Sequence, residues 1–312
     1  MRLADLLAPA VLDHCDALAL RFAPRDPFRH VVIDGFLQAG FAQRLLDAFP
    51  PFARGDARNE DGAIGGKSVV ERIDRLGGPW PELDALARSP EFLALVGRIT
   101  GIDALLYDPW YFGGGTHENR HGQELDPHVD FNRHPVEGWH RRLNLIVYLN
   151  PGWQPQWGGV LELHSDPRAP DDRVLKVDPL HNRCVIFETT ETSWHGFARI
   201  EQPPAQRELG RRSVALYYYT RERPAVETAP THSTIYVDRP LPQHLRAGHV
   251  LSEADVEALQ VLLARRDQHN ERLYREVIAA GAQIEAMRVA LDRGPIGRLH
   301  YYARRVLARL RG

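Results

Sequence analysis

Cysteine, net charge and long apolar runs are all scarce in this 312-residue chain, and each absence excludes something. The two cysteines, Cys15 and Cys184, lie far apart, and Cys184 sits in the apolar run Cys184-Val185-Ile186-Phe187. A disulfide-built scaffold and a cysteine zinc site are therefore both excluded, and two buried free thiols in a reducing compartment are expected. Against 41 acidic residues stand 39 basic ones, a formal charge of -2. That near-balance gives no global footprint for nucleic acid. No run reaches the roughly 20 apolar residues of a membrane span, and Met1-Arg2-Leu3-Ala4-Asp5 lacks the apolar stretch of a signal peptide. The expectation is a cytoplasmic protein. No internal repeat or low-complexity tract occurs. What is present, 43% hydrophobic and 26% charged residues, suffices to bury a core in one large or two ordinary domains.

The patterning predicts an α+β chain with a mainly β core. Residues 1–103 read as an N-terminal support region of helix and strand. His30 to Asp34 is a short strand, Leu37 to Phe49 a helix stopped by Pro50-Pro51, and 52–67 a polar Gly-rich loop. Pro81 to Thr100 reads as one helix with Gly101 as its stop. Residues 104–220 change character: short β-rich runs at 105–111, 127–131, 142–149, 159–164, 173–177, 183–188, 193–198 and 211–220 alternate with turn residues. Many short strands without intervening helices suggest a sandwich or jelly roll. Residues 221–250 form a Pro-rich, irregular linker. Residues 251–312 form a helical extension, with Val256, Leu259, Leu263, Leu273, Val277, Ile284, Met287 and Leu291 on or near one stripe, ended by Gly294-Pro295 and a basic tail.

A redox iron(II) centre needs three facial ligands with open positions beside them, and two imidazoles and a carboxylate provide this. On a strand, residues i and i+2 project to one side, so His-x-Asp at a strand end aims two ligands at one point. The motif occurs three times: His14-Cys15-Asp16, His128-Val129-Asp130 and His164-Ser165-Asp166. The first lies in an expected helix, where i and i+2 do not share a face. Spacing separates the other two, because several strands of about five residues must intervene before a distal histidine. Sixty-four residues lie between Asp130 and His195, and only 28 between Asp166 and His195. The expected ligands are His128, Asp130 and His195.

A 2-oxoglutarate co-substrate would need a cation for its far carboxylate, best an arginine fork on the strand after the distal histidine. In Arg211 to Tyr219, period-two alternation groups Arg211 with Ser213, Ala215 and Tyr217, and sets Arg212 with Val214 and Leu216. Arg211 is therefore chosen, with Ser213 beside it. Tyr148, alternating with Asn144 and Ile146, offers a hydroxyl to the same carboxylate, and Asn144 completes the expected co-substrate set. Trp110, Tyr111, Asn132, Arg133, Trp139, Trp153 and Trp157 are candidates for the substrate mouth.

Taken in order, Thr100-Gly101-Ile102, His128-Val129-Asp130-Phe131-Asn132, Leu143-Asn144-Leu145-Ile146-Val147-Tyr148-Leu149-Asn150, Gly158-Gly159-Val160-Leu161, Ser193-Trp194-His195-Gly196 and Arg211-Arg212-Ser213 resemble the prolyl-hydroxylase-like branch of the iron(II)/2-oxoglutarate oxygenases. The resemblance implies a double-stranded β-helix (jelly roll), iron(II) on His128, Asp130 and His195, and 2-oxoglutarate on Arg211 and Tyr148. It also implies O2-dependent hydroxylation of an unactivated C–H, with a lean toward a prolyl, peptidyl or amino-acid substrate. The stretch Ile200 to Gly210 departs from the pattern and suggests an extended hairpin. A glycan or other small metabolite is the alternative substrate. A non-catalytic cupin-like metal or sugar module is the alternative function, for which an Arg211/Tyr148 pair has no use. The tail, with Tyr301, Tyr302, Val306, Leu307 and Leu310 among Arg304, Arg305 and Arg309, allows self-association or membrane-surface contact.

Overall fold

The computed structural model of the chain describes residues 2–52, 67–242 and 244–294. Most of the expected 52–67 loop and the whole basic tail lie outside the described residues. Two compact units are formed, Met1–Arg239 and Pro240–Gly312.

Six helices belong to the first unit: α1 (Leu3–Leu6), α2 (Pro9–Asp13), α3 (Cys15–Phe22), α4 (Ala39–Asp47), α5 (Trp80–Ala87) and α6 (Pro90–Thr100). The single helix expected over 81–100 is in fact α5 and α6. Ser89 breaks it by capping α6, its Oγ accepting from the Phe92 N–H at 3.2 Å. Pro90 at the first helical position has no N–H to continue a helix from α5. Gly101 ends α6 in the left-handed conformation, φ 67°.

Twelve strands are described, in two antiparallel sheets. The larger runs β1 (His30–Ile33), β9 (Arg183–Glu188), β6 (His140–Tyr148), β11 (Arg211–Thr220), β4 (Gly115–Asn119), β2 (Ser68–Val70), with β3 (Leu106–Tyr107) also on β11. The smaller runs β12 (Ile235–Tyr236), β5 (Leu125–Val129), β10 (Trp194–Phe197), β7 (Leu161–His164), β8 (Val174–Val177). The strand expected over 105–111 stops at Tyr107, because both carboxylate oxygens of Asp108 accept backbone N–H groups, of Trp110 at 2.8 Å and Phe112 at 3.0 Å, and turn the chain. Residues 221–239, read as linker, stay with the first unit, and β12 within them pairs with β5.

The helices cover one face of the larger sheet. Leu143, Leu145, Val147, Val214, Leu216 and Tyr218 of β6 and β11 bury against Phe22, Phe41, Leu45, Trp80 and Phe92, each large side chain contributing about 1.5–3 kcal/mol. The opposite faces of the same strands, with Asn144, Ile146, Tyr148, Arg211, Ser213 and Ala215, turn to the cleft described below. Cys15 and Cys184 are both buried and free, and burial pushes each thiol pKa up.

The second unit carries α7 (Glu253–Arg293). No described helix is long and apolar enough to cross a membrane.

Candidate active site

A cleft of about 610 Å³, counted out to its open mouth, is lined by residues of both sheets. At its centre His128 of β5 and His195 of β10 are cross-strand partners, with ring centroids 4.2 Å apart. Asp130 follows the end of β5. Its Oδ1 is 3.7 Å from His128 Nε2 and its Oδ2 is 3.4 Å from His195 Nε2. Ligand atoms of all three residues lie within 4.8 Å of one another. The ladder shifts between His195 and Phe197, which pair with His128 and Leu125, so β5 carries one extra residue there. Pro127, which has no N–H to donate, sits in that bulge.

Each imidazole is oriented by its other nitrogen. His128 Nδ1 is 2.9 Å from Asp126 O, and His195 Nδ1 is 2.9 Å from Ser193 O. With Nδ1–H donating to a carbonyl, the Nε2 lone pair is left for a metal. Burial, then the neighbouring His128, lowers the His195 pKa to about 4, so the ring is neutral at pH 7. Burial alone would raise the pKa of Asp130, but Arg141, both histidines and Asn144 outweigh it and hold the carboxyl well below the usual range. Two imidazoles with their Nε2 atoms turned to one point and one carboxylate beside them fit iron(II).

Arg141 was not legible in the strand pattern. Alternation back from Asn144 points Arg142 into the cleft. The β6–β11 ladder instead shifts between Tyr218 and Tyr219, which pair with Leu143 and Arg141. Arg142 is thus the extra, bulged residue and its Nη2 pairs with Glu188 at 3.2 Å. Arg141 turns inward, 1% exposed, its guanidinium 3.7 Å from the Tyr217 ring centroid and 4.3 Å from that of Phe131. Its Nη2 donates to Asn144 Oδ1 at 2.7 Å and lies 3.1 Å from Asp130 Oδ2. Asn144 Nδ2 donates to the same Asp130 oxygen at 2.8 Å. Asn144, expected beside the co-substrate, lines the cleft but spends both amide atoms on Asp130 and Arg141.

Arg211 is 4% exposed. Its Nε donates to Gly159 O at 2.5 Å and its Nη2 lies 3.4 Å from the Tyr148 hydroxyl. The Phe197 ring centroid lies 4.3 Å from the guanidinium carbon. Among the described residues no carboxylate pairs with Arg211, whose pKa burial lowers. Gly159 is needed here: its φ is +65°, and a Cβ would fall 2.9 Å from Arg211 Cδ and 3.2 Å from the Trp153 ring. Arg212 points away and pairs with Glu118, Nε to Oε2 3.2 Å. Tyr148 and Ser213 line the cleft with Arg211, as do Lys67 and, from β4, His117 and Asn119. The β4 residues were missed because Gly115-Thr116-His117-Glu118-Asn119 carries no apolar alternation.

The candidate mouth residues divide. Tyr111 is a packing residue, 3% exposed, with its hydroxyl donating to Asp84 at 3.0 Å. Trp153 likewise packs with Phe197 and Ile200, its Nε1 donating to Gly158 O at 3.0 Å. Neither lines the cleft. Asn132 organises a neighbouring loop, donating to Pro230 O at 2.8 Å and accepting from the His232 N–H at 3.1 Å. Arg133 donates to Gly138 O at 3.2 Å, and Trp139 stacks obliquely on His134, 6.0 Å between centroids. Trp157 sits against Trp153, 5.5 Å between centroids. Trp110 is 47% exposed and Phe112 is 44% exposed, and the Phe112 ring meets Phe131 edge-on at 5.4 Å.

His14 sits at the α2–α3 junction. His164 Nδ1 contacts Asp172 Oδ2 at 2.6 Å. Burial opposes its charge, but Glu162 and Asp172 outweigh burial and raise its pKa.

Residues 114–219 match the family model described as the 2OG-Fe(II) oxygenase superfamily. Over 246 residues, 72% of this chain, the sequence is 26% identical to prolyl 3-hydroxylase OGFOD1 of Mus musculus. The match spans 38% of that protein's length. Among solved structures, a prolyl hydroxylase from Trichoplax adhaerens, in complex with a hypoxia inducible factor peptide fragment, aligns over 71% of this chain and 98% of its own, at 17% identity and TM-score 0.46. A prolyl 4-hydroxylase from Phytophthora capsici aligns over 95% of this chain and 92% of its own, at 19% identity and TM-score 0.45.

Removing the groups that orient a metal-ligating carboxylate costs about 10- to 100-fold in metal affinity. Arg141→Met and Asn144→Leu should therefore each weaken manganese binding by that order in calorimetric titration, while Arg142→Met leaves it nearly unchanged. Equal effects of Arg141→Met and Arg142→Met would contradict the bulge assignment.

A second test uses His164→Ala, which should retain manganese where His128→Ala loses it. The raised pKa of His164 gives stability that is present below the ordinary histidine value and is lost as pH rises through the raised one. The Tm deficit of His164→Ala should accordingly shrink between pH 6 and pH 9. A constant deficit would mean that the ion pair contributes nothing.

Proposed function

We propose, from the match of residues 114–219 to the 2OG-Fe(II) oxygenase superfamily model, that the chain is an iron(II)- and 2-oxoglutarate-dependent hydroxylase built on a double-stranded β-helix. His128, Asp130 and His195 would hold iron(II). Arg211, with Tyr148 and Ser213 beside it, would hold the far carboxylate of 2-oxoglutarate. A metal held there would supply O2 activation coupled to oxidative decarboxylation of 2-oxoglutarate to succinate and CO2, one oxygen atom entering succinate and the other the substrate C–H.

One observation carries this reading: Arg211 is a buried guanidinium without a carboxylate partner among the described residues, opening on the same cleft as the two histidines and the aspartate. A buried cation is costly unless it is paired. The Tyr148 and Phe197 rings and one carbonyl oxygen offset part of that cost, and a dicarboxylate would offset the rest. The chain's own residues then have separate tasks. Arg141 and Asn144 keep Asp130 ionised and fix its orientation. Ile146, Leu161, Phe197 and Ala215 make the walls apolar and exclude water. The module alternative, a metal- or sugar-holding jelly roll without turnover, gives Arg211 no anion to bind.

The proposed substrate is a prolyl residue of a peptide or an amino acid. The likeness to a protein named prolyl 3-hydroxylase supports it. Succinate formation stimulated by proline-containing peptides, compared with free proline and with sugars, tests that choice. Stimulation by sugars alone would overturn it.

The two arginines separate sharply. Arg211→Ala removes a charge-assisted contact from a desolvated site, worth about 2–5 kcal/mol, or roughly 30- to 5000-fold in 2-oxoglutarate affinity. Arg212 points away from the cleft and pairs with the buried Glu118, so Arg212→Ala should change 2-oxoglutarate affinity far less than Arg211→Ala does. Tyr148→Phe, which deletes one long hydrogen bond and keeps the ring, should fall between them. Calorimetry with manganese in place of iron reads all three. Severe loss in Arg212→Ala with little in Arg211→Ala would contradict the assignment.

A further inference from the structure

Helix α7 has 41 residues, about 60 Å at 1.5 Å per residue. Stepping alternately three and four residues from Val256 visits Leu259, Leu263, Arg266, Asn270, Leu273, Val277, Ala280, Ile284, Met287 and Leu291. Only Arg266 and Asn270 on this track are polar. A helix lying on a globular core follows a 3.6-residue period. A 3–4 alternation sustained over five heptads follows 3.5, the period of helices that supercoil around one another. Helices are seldom stable through propensity alone and depend on burying an apolar face. Yet Val256, Leu263, Leu273, Val277, Ile284, Met287 and Leu291 are between 42% and 68% exposed.

The residues chosen at the two core positions specify the occupant of this stripe. One position of the heptad carries Val256, Leu263, Asn270, Val277, Ile284 and Leu291, and the other carries Leu259, Arg266, Leu273, Ala280 and Met287. Three of the six first-position residues are β-branched (Val256, Val277 and Ile284), and Leu259 and Leu273 stand at the second beside Arg266, Ala280 and Met287; β-branched residues at the first position with leucine at the second favour two parallel strands. A single asparagine at the first position fixes register and two-strandedness, because its amide is satisfied only against the same residue of a partner. The area also suffices. Eight large apolar side chains per helix, at roughly 60–120 Å² each, would remove on the order of 1,000–2,000 Å² in a pair, the size of a stable protein interface.

We propose that α7 is a dimerisation element that pairs with α7 of a second copy of this chain as a parallel, in-register, two-stranded coiled coil, each Asn270 facing its counterpart. The pairing does not depend on the proposed activity. Its test uses the full chain. Sedimentation equilibrium at micromolar concentration should return a dimer. The double substitution Val277→Lys and Ile284→Lys should return a monomer whose manganese affinity is unchanged, which separates loss of pairing from loss of folding. A single cysteine at the second core position, Met287→Cys, should cross-link two copies under mild oxidation, since in-register parallel pairing brings the two sulfurs together while Cys15 and Cys184 are buried. A monomeric wild type overturns the proposal, as does a dimer that survives the double substitution. So does dimerisation that appears only after residues 295–312 are deleted, which would assign the stripe to the chain's own terminal segment. Co-flotation of a monomer with phosphatidylglycerol vesicles would assign it to a membrane surface instead, and equally overturns the proposal.

Discussion

Antiparallel pairing of His128 on β5 with His195 on β10 is the constraint on which the cleft depends. A slip of one residue would turn one imidazole out of the cleft and every neighbour with it. Three features hold the register. Pro127 occupies the bulge between His128 and Leu125. At Gly196 the backbones come so close that a Cβ would lie 2.6 Å from Leu125 O. On the other side of β10, β7 pairs residue for residue from Leu161 to His164. With the two rings fixed, Asp130 needs only to leave the end of β5 to bring a carboxylate between them.

Charge in the cleft is balanced on one side only. Asp130 is buried, but Arg141 and Asn144 meet it directly, so the ion is kept and its pKa stays low. Arg211 is buried to a similar degree and meets a carbonyl, a hydroxyl and aromatic faces, with no acid among the described residues. A folded chain that accepts several kcal/mol for an incompletely paired ion gains affinity for whatever anion completes it. The metal side of the cleft is thus satisfied by the protein itself, while the Arg211 side is complementary to a second molecule.

Much of this could be read from the sequence where one physical rule acted alone. Arg211 to Thr220 alternates because one face packs on helices and the other lines a cleft, and the alternation separates Arg211 from Arg212. Spacing separates His128-Val129-Asp130 from His164-Ser165-Asp166, and the latter histidine lies against Asp172. The 3–4 stripe of α7 stood out for the same reason. Reading failed where two rules competed. The bulge at Arg142 reverses the alternation and hides Arg141, and no periodicity signals a bulge. Strand β4 is buried yet polar, with His117 and Asn119 toward the cleft and Glu118 toward Arg212, so it lacks an apolar signature. Ser89-Pro90 overrides the helical spacing around it. Tyr111 and Trp153 show that aromatic identity alone does not distinguish a core from a mouth.

The central claim is that two different molecules meet in one cleft, a metal on His128, Asp130 and His195 and a dicarboxylate on Arg211. Anaerobic calorimetry with 2-oxoglutarate and with 2-oxobutyrate, which lacks the far carboxylate, tests both halves together. Manganese-loaded protein should bind 2-oxoglutarate at least about 30-fold more tightly than 2-oxobutyrate, and metal-free protein should bind both weakly. Equal affinity for the two acids would contradict the role of Arg211, and undiminished binding without metal would contradict the role of the triad.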